Sequence, residues 1–572
     1  MLASGDWLTP HFDTLPYLDK PALFFWLEAE SFRMWGLSEW AARFPSALAA
    51  LATAFLTWLL AKRMFGDSAA LRAGLVWATS PLVIAFARLV VFDMILTFFI
   101  TLALVCFWFA QTCDFGQPWL DAGLFGAMGL ATFEKGPVGF IIPLLSIAAY
   151  QAARGHLRGL GRLRWGLGLA IFAATALPWF VVISIRHPEF LRYAVWETWL
   201  RFATSRARRA GGAFYYIPVF LGGFLPWSFF LLFAAWNRLK RWRALGRDAR
   251  QPELFLAVSA AVVFVFFSIS QSKLPGYVLP ASVPLSILMA RVWDDVGFEG
   301  AWRPDWLAAG FGALVALGLL TAAAPQLLRL PSVQALAARK IPPSVMPFIR
   351  PSLFSSGVIL AALGALGRNR FARRSAKTLS VPAFALLACT ALLLLVRWAQ
   401  PLRTYAEAFS SRQLARTVLA SPQRDLPVYG YYYFRTSLMF YLRRPVGLVT
   451  AGAGETTSNY VSSQWPNLRR QARLRVGSGN TTSADAEART AGSPRRETDL
   501  PLLIDAAELQ ALARPPSVSF LVMARNTHVA RLVKTVGRAE LLWTAWDYSV
   551  LQVPASASNG DANQRHGGEP PP

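Results

Sequence analysis

Residues 4–45 read SGDWLTPHFDTLPYLDKPALFFWLEAESFRMWGLSEWAARFP. The stretch is too polar, and too broken by Pro10, Pro16 and Pro21, to cross a bilayer, yet it runs straight into long apolar sequence. It places Asp6, His11, Asp13, Asp19 and Lys20 on a loop-like run. An aromatic amphipathic segment follows, with Phe24, Phe25, Trp26, Phe32 and Trp35. A charged loop leading into an aromatic helix is the layout of a functional loop lying on a membrane surface.

Outward from this stretch the composition leaves the soluble range: 55% of the residues are hydrophobic and 22 are Trp. A spanning helix needs about 20 apolar residues, and about twelve such runs follow. They cover residues 41–63, 68–88, 91–111, 119–133, 136–153, 164–186, 213–235, 253–271, 276–296, 304–324, 352–368 and 378–397. The runs at 119–133 and 136–153 are short and meet at Glu134-Lys135-Gly136-Pro137. Backbone groups in lipid must be satisfied internally, and these runs lack the alternation of barrel strands. The sequence therefore predicts an α-helical polytopic membrane protein with about 12 transmembrane helices.

The net charge of +25 invites a nucleic-acid reading, but its placement excludes one. Lys and Arg gather in alternate loops, at Lys62–Arg72, Arg154–Arg164, Arg238–Arg250 and Arg368–Lys377. By the positive-inside rule those loops are cytoplasmic. The N-terminal segment, the turns at 89–92, 134–135 and 272–275, the 187–212 loop and the chain after about residue 398 then lie outside. One outer loop departs from the rule, carrying Arg192, Arg201, Arg206, Arg208 and Arg209, which suggests an anionic ligand or acidic lipid headgroups there. Cys106, Cys113 and Cys389 offer neither a disulfide framework nor a cysteine metal site.

Four regions are expected. Residues 1–40 form an extracytoplasmic loop with a juxtamembrane amphipathic helix, and residues 41–397 form the membrane domain. Residues 398–555 form an extracytoplasmic α/β domain with a flexible insert near 451–499, and residues 556–572 a disordered tail. In the α/β domain, Pro427–Phe434, Leu438–Leu442, Val446–Thr450 and Val518–Met523 read as strands, and Tyr405–Leu419 as a helix.

Four charged clusters sit at the outer ends of the runs. In Asp19-Lys20-Pro21 the Pro opens a helix, leaving Lys20 where it can pair with a phosphate. Asp93 begins an apolar run, where a carboxylate must be paired or functional; Arg88 is the nearest partner in sequence. Asp93 is a candidate general base or hydroxyl-positioning acid, and a helix cap is the structural alternative. Glu134 and Lys135 form a charge pair at a tight turn. Lys273 and Tyr277, in Ser272-Lys273-Leu274-Pro275-Gly276-Tyr277, suit a lipid-linked phosphate or, equally, interfacial anchoring.

Taken in order, several strings resemble the ArnT-like and PMT-like (families 39 and 83) polyprenyl-phosphate-sugar-dependent GT-C glycosyltransferases. They are GDWLTPHFDTLPYLDKPALFFWL (5–27), SEWAARFPSALAA (38–50), ARLVVFDMILTF (87–98), FEKGPVGF (133–140), LPWFVV (177–182), the Arg-Phe of WLRFATS (199–205), YYIPVFLGGFLPW (215–227) and SKLPGYVLPASVPL (272–285). The resemblance covers roughly residues 4–290 and implies a GT-C fold with an extracytoplasmic C-terminal α/β domain. It implies transfer of a sugar from an undecaprenyl- or dolichyl-phosphate carrier to a lipid A-like, glycan or protein acceptor on the periplasmic face of a bacterial inner membrane. Carried over by position, Lys20, Arg201 and Lys273 hold the donor phosphate with Tyr17. Asp93 and Asp19 are the catalytic candidates, and Arg88, Glu134, Lys135, Tyr277 and His11 are further pocket candidates.

Two departures accompany the resemblance. The family's first span and its Asp-Glu motif would precede Met1, so a chain starting there is expected to transfer weakly. Family members often carry a His before the paired aromatics matching Tyr215-Tyr216, and RARRAGGAFYY (206–216) has none. No cofactor is required by the sequence; a divalent metal ion, if used, would fall to Asp19 or Asp93. A flippase or transporter for polyprenyl-linked lipid and a degenerate non-catalytic family member are the alternative readings.

Overall fold

Helix formation follows hydropathy closely in the computed structural model, which describes all residues except 3, 13–14, 113–116, 204–210, 242–246, 299–304, 372–375, 457, 471–502, 515–518 and 556–572. The chain divides into two compact units. One comprises residues 1–10, 20–335 and 348–400, the other residues 11–19, 336–347 and 401–572. Much of the predicted insert at 451–499, and the tail, lie outside the described residues.

In the first unit, α1 is Leu23–Trp35, α2 Glu39–Phe65, α3 Asp67–Thr79 and α4 Pro81–Arg88. Then come α5 (Asp93–Thr112), α6 (Pro118–Lys135), α7 (Val138–Ala153) and α8 (Trp165–Arg186). These are followed by α9 (Phe190–Ala203), α10 (Tyr216–Gly223), α11 (Trp227–Arg241) and α12 (Arg247–Ile269). The last are α13 (Ser282–Phe298), α14 (Asp305–Leu327), α15 (Pro331–Lys340), α16 (Met346–Phe371) and α17 (Ala376–Phe409), α15 and α17 running on into segments of the second unit.

Among the described residues, 8 helices are long and apolar enough to cross a membrane, or up to 10 spans if each bent pair counts as one. The pairs are α3 with α4, bent by 62°, and residues 213–223 with 227–236, bent by 114°. Ten of the twelve expected runs meet that measure among the described residues. The other two are α6 and α7, which pack against each other. The 16 residues of α7 reach only about 24 Å, short of the roughly 30 Å hydrocarbon thickness.

Burial separates inner from outer helices. The apolar window of α5 is 67% buried and that of residues 275–294 is 78% buried, against 22% for α8. Exposed Val181, Val182 and Ile185 on α8 make a surface suited to lipid, not water. The largest core joins α2, α3, α5, α6, α7, α12 and α13 through side chains such as Trp77, Phe107, Phe125, Tyr150 and Phe255. The two most enclosed segments, α5 and 275–294, are also the two that begin at Asp93 and Pro275, where charged residues collect.

In the second unit, α18 is Arg412–Ala420, α19 Thr436–Leu442 and α20 Asn459–Ser463. Helices α21 (Ala506–Leu512) and α22 (Val529–Val536) complete the set. Its strands are β1 (His11–Phe12) and β2 (Leu15–Pro16), which pair antiparallel, then β3 (Val428–Tyr431), β4 (Gly447–Val449), β5 (Leu503–Ile504), β6 (Phe520–Arg525), β7 (Glu540–Thr544) and β8 (Tyr548–Val553). The last six form one sheet in the order β5-β4-β3-β6-β8-β7. It is parallel from β5 to β6, and β8 is antiparallel to both β6 and β7. Strands β3, β4 and β6 are buried on both faces, as a parallel sheet flanked by helices requires.

Two readings of this region need correction. Leu438–Leu442 is not a strand but the body of α19, whose apolar residues Leu438 and Leu442 recur at a helical spacing of four and are buried. The helix read at Tyr405–Leu419 is the end of α17 and α18, separated at Ser410-Ser411.

Candidate functional site

The site in the first unit is built from three chain turns. Asp93 is the first residue of α5 and is 8% exposed. Helices α5 and α6 pack side by side, so the end of α6 returns to the start of α5. There Lys135 Nζ donates to Asp93 Oδ1 at 2.6 Å, with both side chains about nine-tenths buried. Gly136 caps α6, its N–H donating to Thr132 O at 2.7 Å.

The third turn is the short helical segment Pro275–Ala281. Gly276 lies so close that a Cβ there would stand 2.6 Å from Asp93 Cγ and Oδ1 and 2.5 Å from Phe86 Cε1. Only a residue without a side chain admits this approach. The next residue, Tyr277, sets its ring 4.8 Å from Lys135 Nζ, a cation–π contact. Its own neighbour is the Phe267 ring at 4.9 Å.

Asp93, Lys135 and Tyr277 therefore converge, but with partners different from those the sequence suggested. Asp93 pairs with Lys135, 42 residues away, and not with the exposed Arg88 at the end of α4. Glu134 does not share the pair. It is fully buried, and neither carboxylate oxygen has a hydrogen-bond partner among the described residues. Gly276 was not singled out from the sequence at all. The signal was available in SKLPGYVLP, since a Gly between Pro275 and Tyr277 marks a close backbone approach.

Lys273 stands in the same turn, 4% exposed. Its Nζ donates to the carbonyls of Phe267, Ser268 and Ser270 at 2.8, 2.6 and 2.5 Å. Burial draws its pKa below the usual lysine value. Its Nζ also lies 5.6 Å from the ring of Tyr216. Lys20 is half-buried just before Ala22, the N-cap residue of α1. Arg201 falls in the last turn of α9, and its side chain lies outside the described residues. Asp13, Arg206, Arg208 and Arg209 also lie outside them.

The start of the chain is held by contacts the sequence did not reveal. Asp6 Oδ1 accepts the N–H groups of Leu8 and Thr9, both at 3.1 Å, and Arg186 at 3.0 Å. Burial pushes its carboxyl up, but the Thr9 and Leu8 N–H groups and Arg186 outweigh it and hold the pKa below the ordinary value. Trp26 and Trp179 donate their ring N–H groups to the carbonyls of Trp7 and Leu8 at 2.7 and 2.9 Å.

Three sequence candidates, His11, Tyr17 and Asp19, belong to the second unit. His11 is exposed on β1 and Tyr17 is half-buried. Asp19 Oδ1 accepts the backbone N–H of Tyr460 at 2.9 Å. Leu15 is buried in a cluster with Leu448, Ala453, Val461, Trp465 and Leu503. Among the described residues, no group of three or more His, Cys, Asp or Glu could hold a metal ion.

A bundle of apolar helices joined to an α/β sheet unit makes this a polytopic membrane protein with a GT-C type fold. The chain is similar to ArnT in fold, and over about half its length in sequence. Residues 19–221 match the family model described as dolichyl-phosphate-mannose-protein mannosyltransferase. The undecaprenyl phosphate-alpha-4-amino-4-deoxy-L-arabinose arabinosyl transferase of Edwardsiella ictaluri is 34% identical over 299 residues, 51% of this chain and 52% of the relative. The first enzyme of that name in Pseudomonas fluorescens is 31% identical over 335 residues, 55% of this chain and 58% of the relative. The chain thus spans about half the length of the curated relatives it matches. Its fold follows ArnT from Cupriavidus metallidurans bound to undecaprenyl phosphate, with a TM-score of 0.75 at 24% identity over 97% of this chain and 92% of that one.

Proposed function

We propose that this chain is an integral-membrane glycosyltransferase that moves a sugar from an undecaprenyl-phosphate-type donor to a lipid or glycan acceptor. The observation carrying the reading is the dry Asp93–Lys135 pair, which lies inside the stretch matched by the mannosyltransferase family. The names of the relatives favour a pentose, 4-amino-4-deoxy-L-arabinose, and a lipid A-like acceptor. The alternating basic loops favour an inner-membrane protein working on its periplasmic face.

The reaction breaks the bond between the sugar's anomeric carbon and the phosphate oxygen, and the bonding pair leaves with the phosphate. A new bond forms from the anomeric carbon to an acceptor oxygen. Charge grows on the departing phosphate, and fixed cations in a water-poor site stabilise it most. Lys20 and Arg201 are proposed for that task. Tyr17 and Asp19, beside Lys20 in the chain, are proposed to shape the same loop. Asp93, with its second carboxylate oxygen uncommitted to Lys135, is proposed to orient an acceptor hydroxyl and to take its proton.

The test is transfer of labelled sugar in proteoliposomes, with pentosyl and hexosyl polyprenyl phosphates supplied in parallel. The reading expects label to move from the pentosyl donor to the lipid acceptor, and Lys20→Met to raise the donor KM. Movement of polyprenyl-linked lipid across the bilayer with no sugar transfer would establish a flippase instead.

A further inference from the structure

The turn between α12 and α13 carries a lysine whose donors are all spent. An ammonium has three N–H groups, and those of Lys273 go to Phe267 O, Ser268 O and Ser270 O. These acceptors lie at the C-terminal end of α12, where helical carbonyls have no N–H partner further along the helix. The negative end of the helix dipole favours a cation in that position. The stem is fixed as well: a Cβ on Gly211 would stand 2.7 Å from Lys273 Cγ. The backbone on the other side is also tied, with Gln271 N–H donating to Phe202 O at 3.1 Å and Gly211 N–H to Gln271 O at 3.3 Å.

Four residues further on, this turn delivers Tyr277 under Lys135, and Gly276 against Asp93. A phosphate could recruit Lys273 only by breaking charge-assisted bonds at the helix end, which would release the turn that forms the site.

We infer that Lys273 is a positioning residue: by gathering the end carbonyls of α12 around its ammonium, it fixes the 272–277 turn and so sets where Gly276 and Tyr277 meet Asp93 and Lys135. This assignment replaces the donor-phosphate role implied by family resemblance, and it rests on the proposed transferase reading only for its kinetic readout.

The experiment compares Lys273→Met with Lys20→Met in the full chain reconstituted in nanodiscs. Three quantities are measured: amide hydrogen exchange, undecaprenyl phosphate binding and transfer kinetics. Lys273→Met keeps the stem and removes the donors. It is expected to speed exchange of the 272–277 amides by about tenfold or more. It is expected to lower kcat by about 100-fold with donor KM changed less than about threefold. Lys20→Met should do the reverse, weakening undecaprenyl phosphate binding while 272–277 stays protected. If Lys273→Met does not fold, Gly211→Ala crowds the same stem and should loosen the same amides to a smaller degree.

Unchanged protection of 272–277 in Lys273→Met, together with loss of undecaprenyl phosphate binding as large as in Lys20→Met, would overturn the inference. If the wild-type chain binds no undecaprenyl phosphate, the transferase reading fails, and the exchange measurement still decides the role of Lys273.

Discussion

Each unit contains an acid–base pair at least partly buried, and the two are finished differently. In the sheet unit, Arg435 Nη2 donates to both carboxylate oxygens of Asp547 at 2.7 and 3.0 Å. Its Nε donates to Tyr433 Oη at 2.6 Å and its Nη1 to Phe409 O at 2.7 Å, while Tyr433 Oη donates back to Asp547 at 2.8 Å. The guanidinium also lies 4.4 Å from the Tyr548 ring. In the helical unit, Asp93 and Lys135 share one hydrogen bond at 2.6 Å, flanked by an aromatic ring and a glycine. A network in which four of the five guanidinium N–H groups are bonded within the protein leaves little capacity for a ligand and acts as a clamp. A pair with unspent oxygens and N–H groups in a dry setting is where a substrate can enter.

The largest effect that could break this comparison is on catalysis. Asp93→Asn is expected to lower sugar transfer by roughly 1,000-fold, with little change in the amount of folded protein recovered from membranes. Loss of transfer only in proportion to lost folded protein would make Asp93–Lys135 a second structural clamp. Next in size, Arg435→Ala should destabilise the sheet unit by about 3–5 kcal/mol, because it strands Asp547 and Tyr433 together. Limited proteolysis within 401–555 against denaturant measures it, and a shift under about 1 kcal/mol would mean the clamp is ornamental.

A smaller effect sharpens the site itself. Gly276→Ala should reduce transfer by about 10–100-fold, since its Cβ would stand only 2.6 Å from Asp93 Oδ1 and would push the carboxylate aside. Wild-type rates from this variant would show that the approach relaxes without consequence.

The smallest effect concerns Glu28, half-buried on α1, whose carboxyl burial pushes up to about 7. Its folded-state pKa lies above the unfolded value, so the folded state holds the extra proton between the two. Stability falls as pH rises through that interval. Glu28→Gln should therefore stabilise the chain above pH 7 by about 1–3 kcal/mol, the gain vanishing below about pH 4.5. A gain independent of pH would place its cause outside ionisation.

The spans were legible because lipid imposes a uniform demand on length and hydropathy, met at α2, α5, α8, α12, α13, α14, α16 and α17. The short runs of α6 and α7 were legible as helices meeting at Gly136, with 18 and 16 residues. Asp93, Lys135 and Tyr277 could each be picked out, yet their partners could not. Arg88 is five residues from Asp93 and Lys135 is 42, and only the packing of α5 on α6 decides between them. Misreading α19 had a local cause: LMFYL is aromatic and apolar enough for a strand, and the alternation that would exclude one needs more residues than five. Asp19 was read as a pocket residue from the family resemblance, and its hydrogen bond with Tyr460, 441 residues along, could not be read from the sequence.

That bond has a consequence in time as well as in space. Residues 11–19 leave the ribosome well before Tyr460 and most of the cluster that buries Leu15, which are made hundreds of residues later. At about 5–20 residues per second, synthesis of the intervening chain takes on the order of tens of seconds. All that while the β1–β2 hairpin has no surface to settle on. The loop carrying Tyr17 and Asp19 is thus made long before its partners, so it cannot take its place until the sheet unit that holds Tyr460 exists.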